Sequence, residues 1–381
     1  MGTVALRPRR AGTDEDAVGQ RPQRPEHLQV AVPAELCRDA RRVGRLPVDA
    51  GDHVDPQETG PTLVGSVHLV GRDVLGREGQ QLTHAADASA TERLRSNLLA
   101  WFEAHGRDLP WRRTRDPYRV LVSEVMLQQT QVARVEPAYL AFLERFPALE
   151  ALAGASTAAV LEQWRGLGYN RRALNLQRTC RAVVDRHGGR VPATLDALLD
   201  LPGIGPYTAR ALLVFAFEQP VAAVDVNVGR VVQRAVSGAA LPPRERQARA
   251  DDLVAQRPWA TAQALMELGA RFCTARRPNC GDCPVRAACA WNHACTPAPD
   301  PAATGVRKPP QRFIDSDRYH RGRLLDALRL GPVSVERVPA AARTGDAGRA
   351  RRLADALVSE GLAVWWLGTL TLPERDPKGS A

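Results

Sequence analysis

Leu201-Pro-Gly-Ile-Gly-Pro-Tyr-Thr-Ala209 is the stretch of this 381-residue chain that most restricts its fold. It lies between two segments with helical periodicity, Leu195–Leu201 and Tyr207–Phe217. Gly203 and Gly205 allow a tight turn with exposed backbone, and proline is favourable where the second helix starts. Backbone N–H groups at such a turn suit a nucleic-acid phosphate. The stretch predicts a helix–hairpin–helix, although a plain interhelical turn could have the same residues.

The surrounding sequence predicts an all-α core. Few segments alternate with a period of two, whereas apolar residues recur with a period near 3.6 from Thr91 onward. The other predicted helices are Thr91–Ala104, Tyr118–Gln131, Val135–Arg145, Thr157–Trp164, Asn170–His187, Val228–Ala235, Glu245–Gln256 and Trp259–Phe272.

Two regions outside this core have different compositions. Residues 1–88 show no sustained period and predict a disordered extension, or upstream sequence translated from a start codon assigned too early. Residues 296–310 are rich in proline and alanine and predict a linker. Beyond them, residues 311–373 predict a small winged-helix-like unit, with helices at Arg321–Leu330 and Ala347–Glu360 and a two-stranded ribbon at Leu362–Leu372.

Charge and hydropathy favour a polyanionic partner. The net charge is +10, and residues 1–90 contain 11 arginines and 13 acidic residues, so the remainder carries +12. A basic globular part favours nucleic acid, although many ordinary proteins are basic. No apolar run approaches the roughly 20 residues that span a bilayer, and Met1–Arg10 precedes no apolar segment. We therefore expect no membrane partner and a cytoplasmic, nucleoid-associated location.

Four cysteines form the sharpest motif, Cys273-x6-Cys280-x2-Cys283-x5-Cys289. Disulfides are rare inside cells, and structural zinc sites usually have two Cys-x2-Cys pairs where this chain has one. Four thiolates also suit an iron–sulfur cluster. The spacing therefore favours a [4Fe–4S] cofactor over zinc. Cys37, Cys180 and Cys295 have no partner at ligand spacing and are predicted to be ordinary thiols.

Two carboxylates stand in apolar surroundings. Glu124 has Val120, Leu121, Leu127 and Gln128 at helical spacing, and Asp225 lies within the apolar segment 221–228. Burying an unpaired carboxylate is costly, and desolvation would raise the pKa of Glu124 toward neutrality, which suits proton delivery. Taken singly, a salt-bridged glutamate and a helix-capping aspartate would explain both residues equally well.

Together these motifs resemble a known family. Residues from about 91 to 292 resemble the endonuclease III superfamily of DNA glycosylases. Within it, Ser123-Glu-Val-Met-Leu-Gln-Gln-Thr130, preceded by Leu109-Pro-Trp-Arg112 and Pro117-Tyr118, resembles the adenine-specific MutY branch. The resemblance implies a two-lobed core over 89–295. A six-helix lobe would cover about 118–215, and a cluster lobe would combine 89–117 with 216–295.

The resemblance also implies roles for individual residues. Glu124 would protonate adenine N7, and Asp225 would stabilise the developing charge at C1′ after the base is flipped. Asn227 would support the sugar side. The remaining assignments are Trp111, Arg112, Leu127, Gln263 and Met266 in the adenine pocket, Gln129 and Thr130 at the vacated stack, and Tyr169 in the turn 166–169.

Tyr207 separates two reaction types. Bifunctional relatives have a lysine at this position, which forms a Schiff base, whereas residues 1–307 of this chain contain no lysine. The resemblance thus implies a monomeric, monofunctional enzyme acting on double-stranded DNA with adenine opposite 8-oxoguanine or guanine. Val226 and Asn170 depart from the family's glycine and tyrosine, and residues 307–373 do not resemble its Nudix-like domain. A mismatch thymine or uracil glycosylase and a non-catalytic DNA-binding iron–sulfur protein are the alternatives.

Overall fold

A computed structural model of the protein describes residues 73–293, 300 and 312–373, apart from the side chains of 73–88, 293 and 315. Most of the predicted extension and linker, with Cys37, Cys295 and Lys308, lies outside these residues. The predominantly helical architecture is confirmed. Its helices are α1 Asp73–His105, α2 Pro117–Leu127, α3 Val132–Arg145, α4 Leu149–Gly154, α5 Thr157–Gln163, α6 Arg171–His187, α7 Leu195–Leu199, α8 Pro206–Phe215, α9 Val226–Val231, α10 Pro243–Val254, α11 Pro258–Arg271, α12 Asp317–Leu328, α13 Val338–Ala341 and α14 Ala347–Ser359.

Helix α1 begins earlier than the sequence pattern predicts. The predicted start was Thr91, but the helix starts at Asp73 and continues without interruption to His105. No proline occurs between Pro61 and Pro110, so nothing blocks the extension of this helix backward. Residues 73–88, which the sequence pattern assigns to the extension, are therefore helical and continuous with the rest of α1.

Two further differences concern the segment 117–215. Helix α2 ends at Leu127 rather than at Gln131, and Gln129 adopts a left-handed backbone with φ of 55°. The segment contains seven helices instead of six, because the short α4 was missed. With only six residues, α4 is too short to show a helical period.

The core lies where these helices pack against one another. Helices α2 and α8 pack together, α4 packs on α6, and α11 lies between α1 and α9. Apolar side chains of these helices, including Leu121, Met126 and Leu212, are fully buried. The contact of α1 with α11 brings distant parts of the chain into one lobe. Three other helices, α2, α8 and α9, position the candidate site.

The C-terminal residues 312–373 contain α12–α14 and a small antiparallel sheet. Its strands are β1 Val333–Ser334, β2 Val364–Trp366 and β3 Thr369–Thr371, in the order β1-β3-β2. Val333 pairs with Leu370, and Val364 pairs with Thr371. The predicted ribbon is thus joined by a third strand, which is too short to recognise from alternation.

The C-terminal unit is attached to the core by hydrogen bonds. Arg329 donates from Nε to the carbonyl of Leu161 at 3.0 Å and from Nη2 to Oδ1 of Asn170 at 2.8 Å. The amide of Ala158 donates to the carbonyl of Pro373 at 2.9 Å. Among the helices of the described ranges, none combines the length and apolar character that crossing a membrane requires.

Candidate active site

The hairpin between α7 and α8 contains two glycines, which have different structural roles. Gly203 has φ of 86°, and a Cβ there would lie 2.7 Å from Cβ of Asn175 on α6, so both conformation and space require glycine. Gly205 caps α8 without a side chain, and a Cβ there would meet no atom within 4 Å. The first turn of α8 is therefore left open, with unpaired N–H groups that attract an anion.

Glu124 lies on α2, a helix that begins at Pro117 and is capped by the Asp116 carboxylate. Its side chain is 7% exposed, and the hydroxyl of Tyr207 donates to its Oε2 at 3.1 Å. Burial raises the pKa of Glu124 to about 7, the Tyr207 hydrogen bond opposes that rise, and the nearby Asp225 charge adds to it. This carboxyl group therefore holds a proton over much of the range up to neutrality.

Asp225 caps the N-terminus of α9. Its Oδ1 accepts from the amides of Asn227 at 2.9 Å and Val228 at 2.7 Å, and its Oδ2 accepts from Nδ2 of Asn227 at 2.9 Å. Oδ1 of Asn227 accepts from Arg230 at 2.8 Å. A Cβ on Gly269 of α11 would lie 2.9 Å from Cβ of Asn227, so close helix packing fixes this end of α9.

The fold brings Tyr207 close enough to both carboxylates to feel their charges. Tyr207 is the second residue of α8, and burial together with the charges of Glu124 and Asp225 raises its pKa well above the ordinary value. The phenol thus remains protonated, and its hydroxyl can donate to Glu124. Three residues from α2, α8 and the start of α9 therefore form one electrostatically coupled group.

Two of the predicted pocket residues, Arg112 and Gln263, belong to a polar network around Glu267, a residue that was not predicted. Arg112 donates to Oε1 of Gln263 at 2.7 Å and to Oε2 of Glu267 at 2.8 Å, and Arg107 donates to Oε1 of Glu267 at 2.6 Å. Glu267 is fully buried, yet its pKa is lowered because the two arginines outweigh the effect of burial. The sequence signal for Glu267 is its position one residue after Met266, on the face of α11 that also carries Gln263.

Trp111, Leu127 and Met266 add apolar surface to this region. Trp111 is buried and contacts Tyr139 edge to face, with ring centroids 5.5 Å apart. Leu127 and Met266 are half-buried against the core. The predicted pocket residues therefore comprise three apolar side chains that pack in or against the core and two polar ones, Arg112 and Gln263, that are fixed by hydrogen bonds.

Gln129, Thr130 and Tyr169 are held together by Arg172, another residue that the sequence analysis did not single out. Its Nη1 donates to the carbonyls of Val125, Met126 and Gln128 at 2.7–2.9 Å. Its Nη2 donates to Oγ1 of Thr130 at 3.1 Å and to the carbonyl of Gly168 at 3.1 Å. Arg172 therefore caps the C-terminus of α2 and ties the loop 128–130 to the turn 166–169, which leaves Gln129 and Tyr169 exposed.

The four predicted ligand cysteines are free, half-buried thiols that follow α11. Buried Arg234 donates to Sγ of Cys273 at 3.6 Å and to the carbonyl of Thr274 at 2.8 Å. Burial, opposed by a backbone hydrogen bond at Val285 and helped by the neighbouring loop thiols, raises the pKa of Cys283 to about 11. Within the described ranges, no three His, Cys, Asp or Glu side chains are close enough to hold a single metal ion.

The chain is similar to known DNA repair proteins. Residues 122–256 match the HhH-GPD superfamily of base excision DNA repair proteins. The adenine DNA glycosylase of Mycolicibacterium smegmatis is 45% identical over 273 residues, which cover 70% of this chain and 90% of that protein. That of Mycobacterium tuberculosis is 45% identical over 280 residues, 69% of this chain and 90% of its own. A solved thermostable thymine-DNA glycosylase has a TM-score of 0.51 at 30% identity, over 54% of this chain and 98% of its own.

The family match includes the parts of the site that the structure joins. Residues 122–256 contain Glu124, Tyr207, Asp225 and the hairpin between α7 and α8. The two mycobacterial relatives are matched over nine tenths of their length. The chain therefore belongs to the adenine DNA glycosylases of the HhH-GPD superfamily.

Proposed function

We propose that this protein removes adenine from double-stranded DNA where adenine stands opposite 8-oxoguanine or guanine, and that it stops at the abasic site. The observation that carries the proposal is the buried Glu124 with its pKa raised to about 7, bonded to Tyr207 and close to Asp225. A carboxyl group that keeps its proton near neutral pH can act as a general acid.

In the proposed reaction the adenine is first flipped out of the stack. Glu124 gives its proton to N7 of adenine, which makes the base a better leaving group when the bond between C1′ and N9 breaks. The Asp225 carboxylate stabilises the positive charge that develops at C1′. Water then adds to C1′ and loses a proton. Asn227 orients Asp225 through the hydrogen bond from its amide side chain.

The absence of an amine limits the reaction to base release. Tyr207 presents a phenol to Glu124, and residues 1–307 contain no lysine that could form a Schiff base. We therefore propose a monofunctional enzyme, with strand cleavage left to another agent.

The remaining predicted residues receive supporting roles. Trp111, Arg112, Leu127, Gln263 and Met266 would line the adenine pocket, and Glu267 would hold Arg112 and thereby the pocket's polar edge. Gln129 and Thr130 would occupy the space that the adenine leaves, with Tyr169 beside them. The open start of α8 at Gly203 and Gly205 would bind a DNA phosphate.

The cysteine loop fits a [4Fe–4S] cluster better than a single ion. Structural zinc sites usually have two Cys-x2-Cys pairs, whereas this loop has one, Cys280 and Cys283. Because burial and the neighbouring thiols raise the pKa values of Cys280, Cys283 and Cys289, these three thiols need a cationic centre to ionise. Cys273, Cys280, Cys283 and Cys289 would hold the cluster, which would supply a fixed scaffold for the loop arginines.

The wider organisation of the chain is inferred from the family of the core and, for the C-terminal unit, from its own helices and strands. We propose a core over 89–295, extended backward to Asp73 by α1, a linker over 296–310 and a winged-helix-like unit over 311–373. The helices α12–α14 and the three-stranded sheet support that last assignment. We also propose that the protein acts as a monomer on chromosomal DNA in the cytoplasm.

The function is tested with labelled duplexes containing adenine opposite 8-oxoguanine, adenine opposite guanine, or thymine opposite guanine, followed by alkali. The wild type should release adenine from the first two. Glu124→Gln should abolish release under single-turnover conditions and retain binding, whereas Glu144→Gln, at an exposed position on α3, should behave as wild type. Release of thymine would support a mismatch thymine glycosylase, and binding without release would support the non-catalytic alternative.

A further inference from the structure

A groove of about 860 Å³ separates the core from the C-terminal unit. Its core side carries Gln129, Arg134, Tyr169 and Arg171, and its other side carries residues around the start of α12. Glu124, Tyr207 and Asp225 do not line it. The groove is therefore distinct from the catalytic group but adjoins it through the loop 128–130.

The groove has positive charge that its own acids do not neutralise. Among its arginines, Arg321 pairs with Glu360, and both Arg323 and Arg329 pair with Asp326. Arg134, Arg171 and Arg318 are exposed, and the ion pairs found in the described ranges include none of these three. Unpaired guanidinium groups gathered in one groove favour a polyanionic ligand.

Aromatic rings lie among these cations. The Arg318 guanidinium stands 3.9 Å from the ring centroid of Tyr169 and 5.7 Å from that of Phe313, which is 58% exposed. Arg172 fixes the loop beneath Tyr169. Exposed rings interleaved with arginines bind the bases and phosphates of a nucleic-acid strand.

We propose that this groove binds the DNA strand opposite the excised adenine, with Arg318 of the C-terminal unit contacting its phosphates beside the unpaired purine. The inference rests on the proposed function, in which Gln129 and Thr130 occupy the space left by adenine. Across that space lies the purine of the other strand, and the exposed Gln129 is one of the residues that line the groove. The C-terminal unit thus completes the DNA-binding surface of the core.

The test removes one charge inside and one outside the groove. Arg318→Ala is compared with Arg352→Ala, which lies exposed on α14 outside the groove, both in the full chain with Glu124→Gln to prevent turnover. Because both side chains are exposed, the melting temperatures should match. Arg318→Ala should weaken binding to the adenine·8-oxoguanine duplex about tenfold, and Arg352→Ala less than twofold.

Neutral methylphosphonates identify the strand. Placed beside the purine opposite adenine, they should weaken DNA binding by the Arg352→Ala protein about tenfold and DNA binding by the Arg318→Ala protein less than twofold. Placed in the adenine strand, they should weaken both equally. Equal binding by both proteins, or coupling of Arg318 to the adenine strand, overturns the proposal. Adenine release by the same proteins with Glu124 intact tests the proposed function separately, since the coupling is measured by binding alone.

Discussion

Replacing Glu124 by glutamine is expected to stabilise the protein above neutral pH while removing its activity. The folded protein raises the pKa of Glu124 from 4.5 to about 7, chiefly by burial. Between these values the unfolded chain has released this proton and the folded protein has kept it. The resulting stability is fully present below pH 4.5 and is lost as pH rises through 7. Glutamine is neutral throughout and can still accept from Tyr207.

The size of the effect follows from the width of that interval. Each pKa unit corresponds to about 1.4 kcal/mol, so the interval of roughly 2.5 units corresponds to about 3 kcal/mol. Between pH 5.5 and pH 8.5, about 2 kcal/mol of this difference should be observed. The free energy of unfolding of Glu124→Gln should therefore gain about 2 kcal/mol relative to wild type as pH rises across that range.

Urea unfolding at pH 5.5, 7 and 8.5 measures this gain, with activity recorded for the same preparations. Glu144→Gln is the control, because its exposed side chain on α3 should leave the pH dependence of wild type unchanged. If wild type and Glu124→Gln keep a constant difference in unfolding free energy at all three pH values, Glu124 does not hold its proton in the folded state, and the argument for its acid role fails.

Three further predictions concern Tyr207 and the cysteine loop. Tyr207→Phe removes the hydrogen-bond donor that lowers the pKa of Glu124. In the pH profile of single-turnover adenine release, the alkaline limb should therefore move to higher pH by about one unit. A shift of that limb to lower pH would contradict this. Borohydride should trap almost no wild-type enzyme on DNA, whereas Tyr207→Lys should gain trapping and some strand cleavage, and efficient wild-type trapping would show that another amine reaches the site. Anaerobically purified wild type and Cys180→Ser should hold about four irons per chain, and Cys280→Ser should lose them; stoichiometric zinc without iron would refute the cluster.

The local pattern of apolar residues in the sequence was sufficient to predict much of the fold. The apolar period located most helices of the core, because each buries one face and therefore repeats apolar residues at a spacing of 3.6. It did not reveal the start of α1 at Asp73, the six-residue α4 or the two-residue β1. The left-handed Gln129 that follows α2 was also missed, because Arg172 is distant in sequence and caps that helix through its carbonyls.

The sequence alone was enough to identify Glu124, Asp225 and Tyr207 as candidate site residues, because residue type and motif spacing are properties of the chain itself. It did not show that the Tyr207 hydroxyl lies 3.1 Å from Glu124, or that Glu267 holds Arg112. Nor did it show that Arg318 stacks on Tyr169 across a groove. Each of these contacts joins residues more than 80 positions apart. Hydrogen bonds, desolvation and charge coupling depend on distance in space, which only the packed tertiary structure sets.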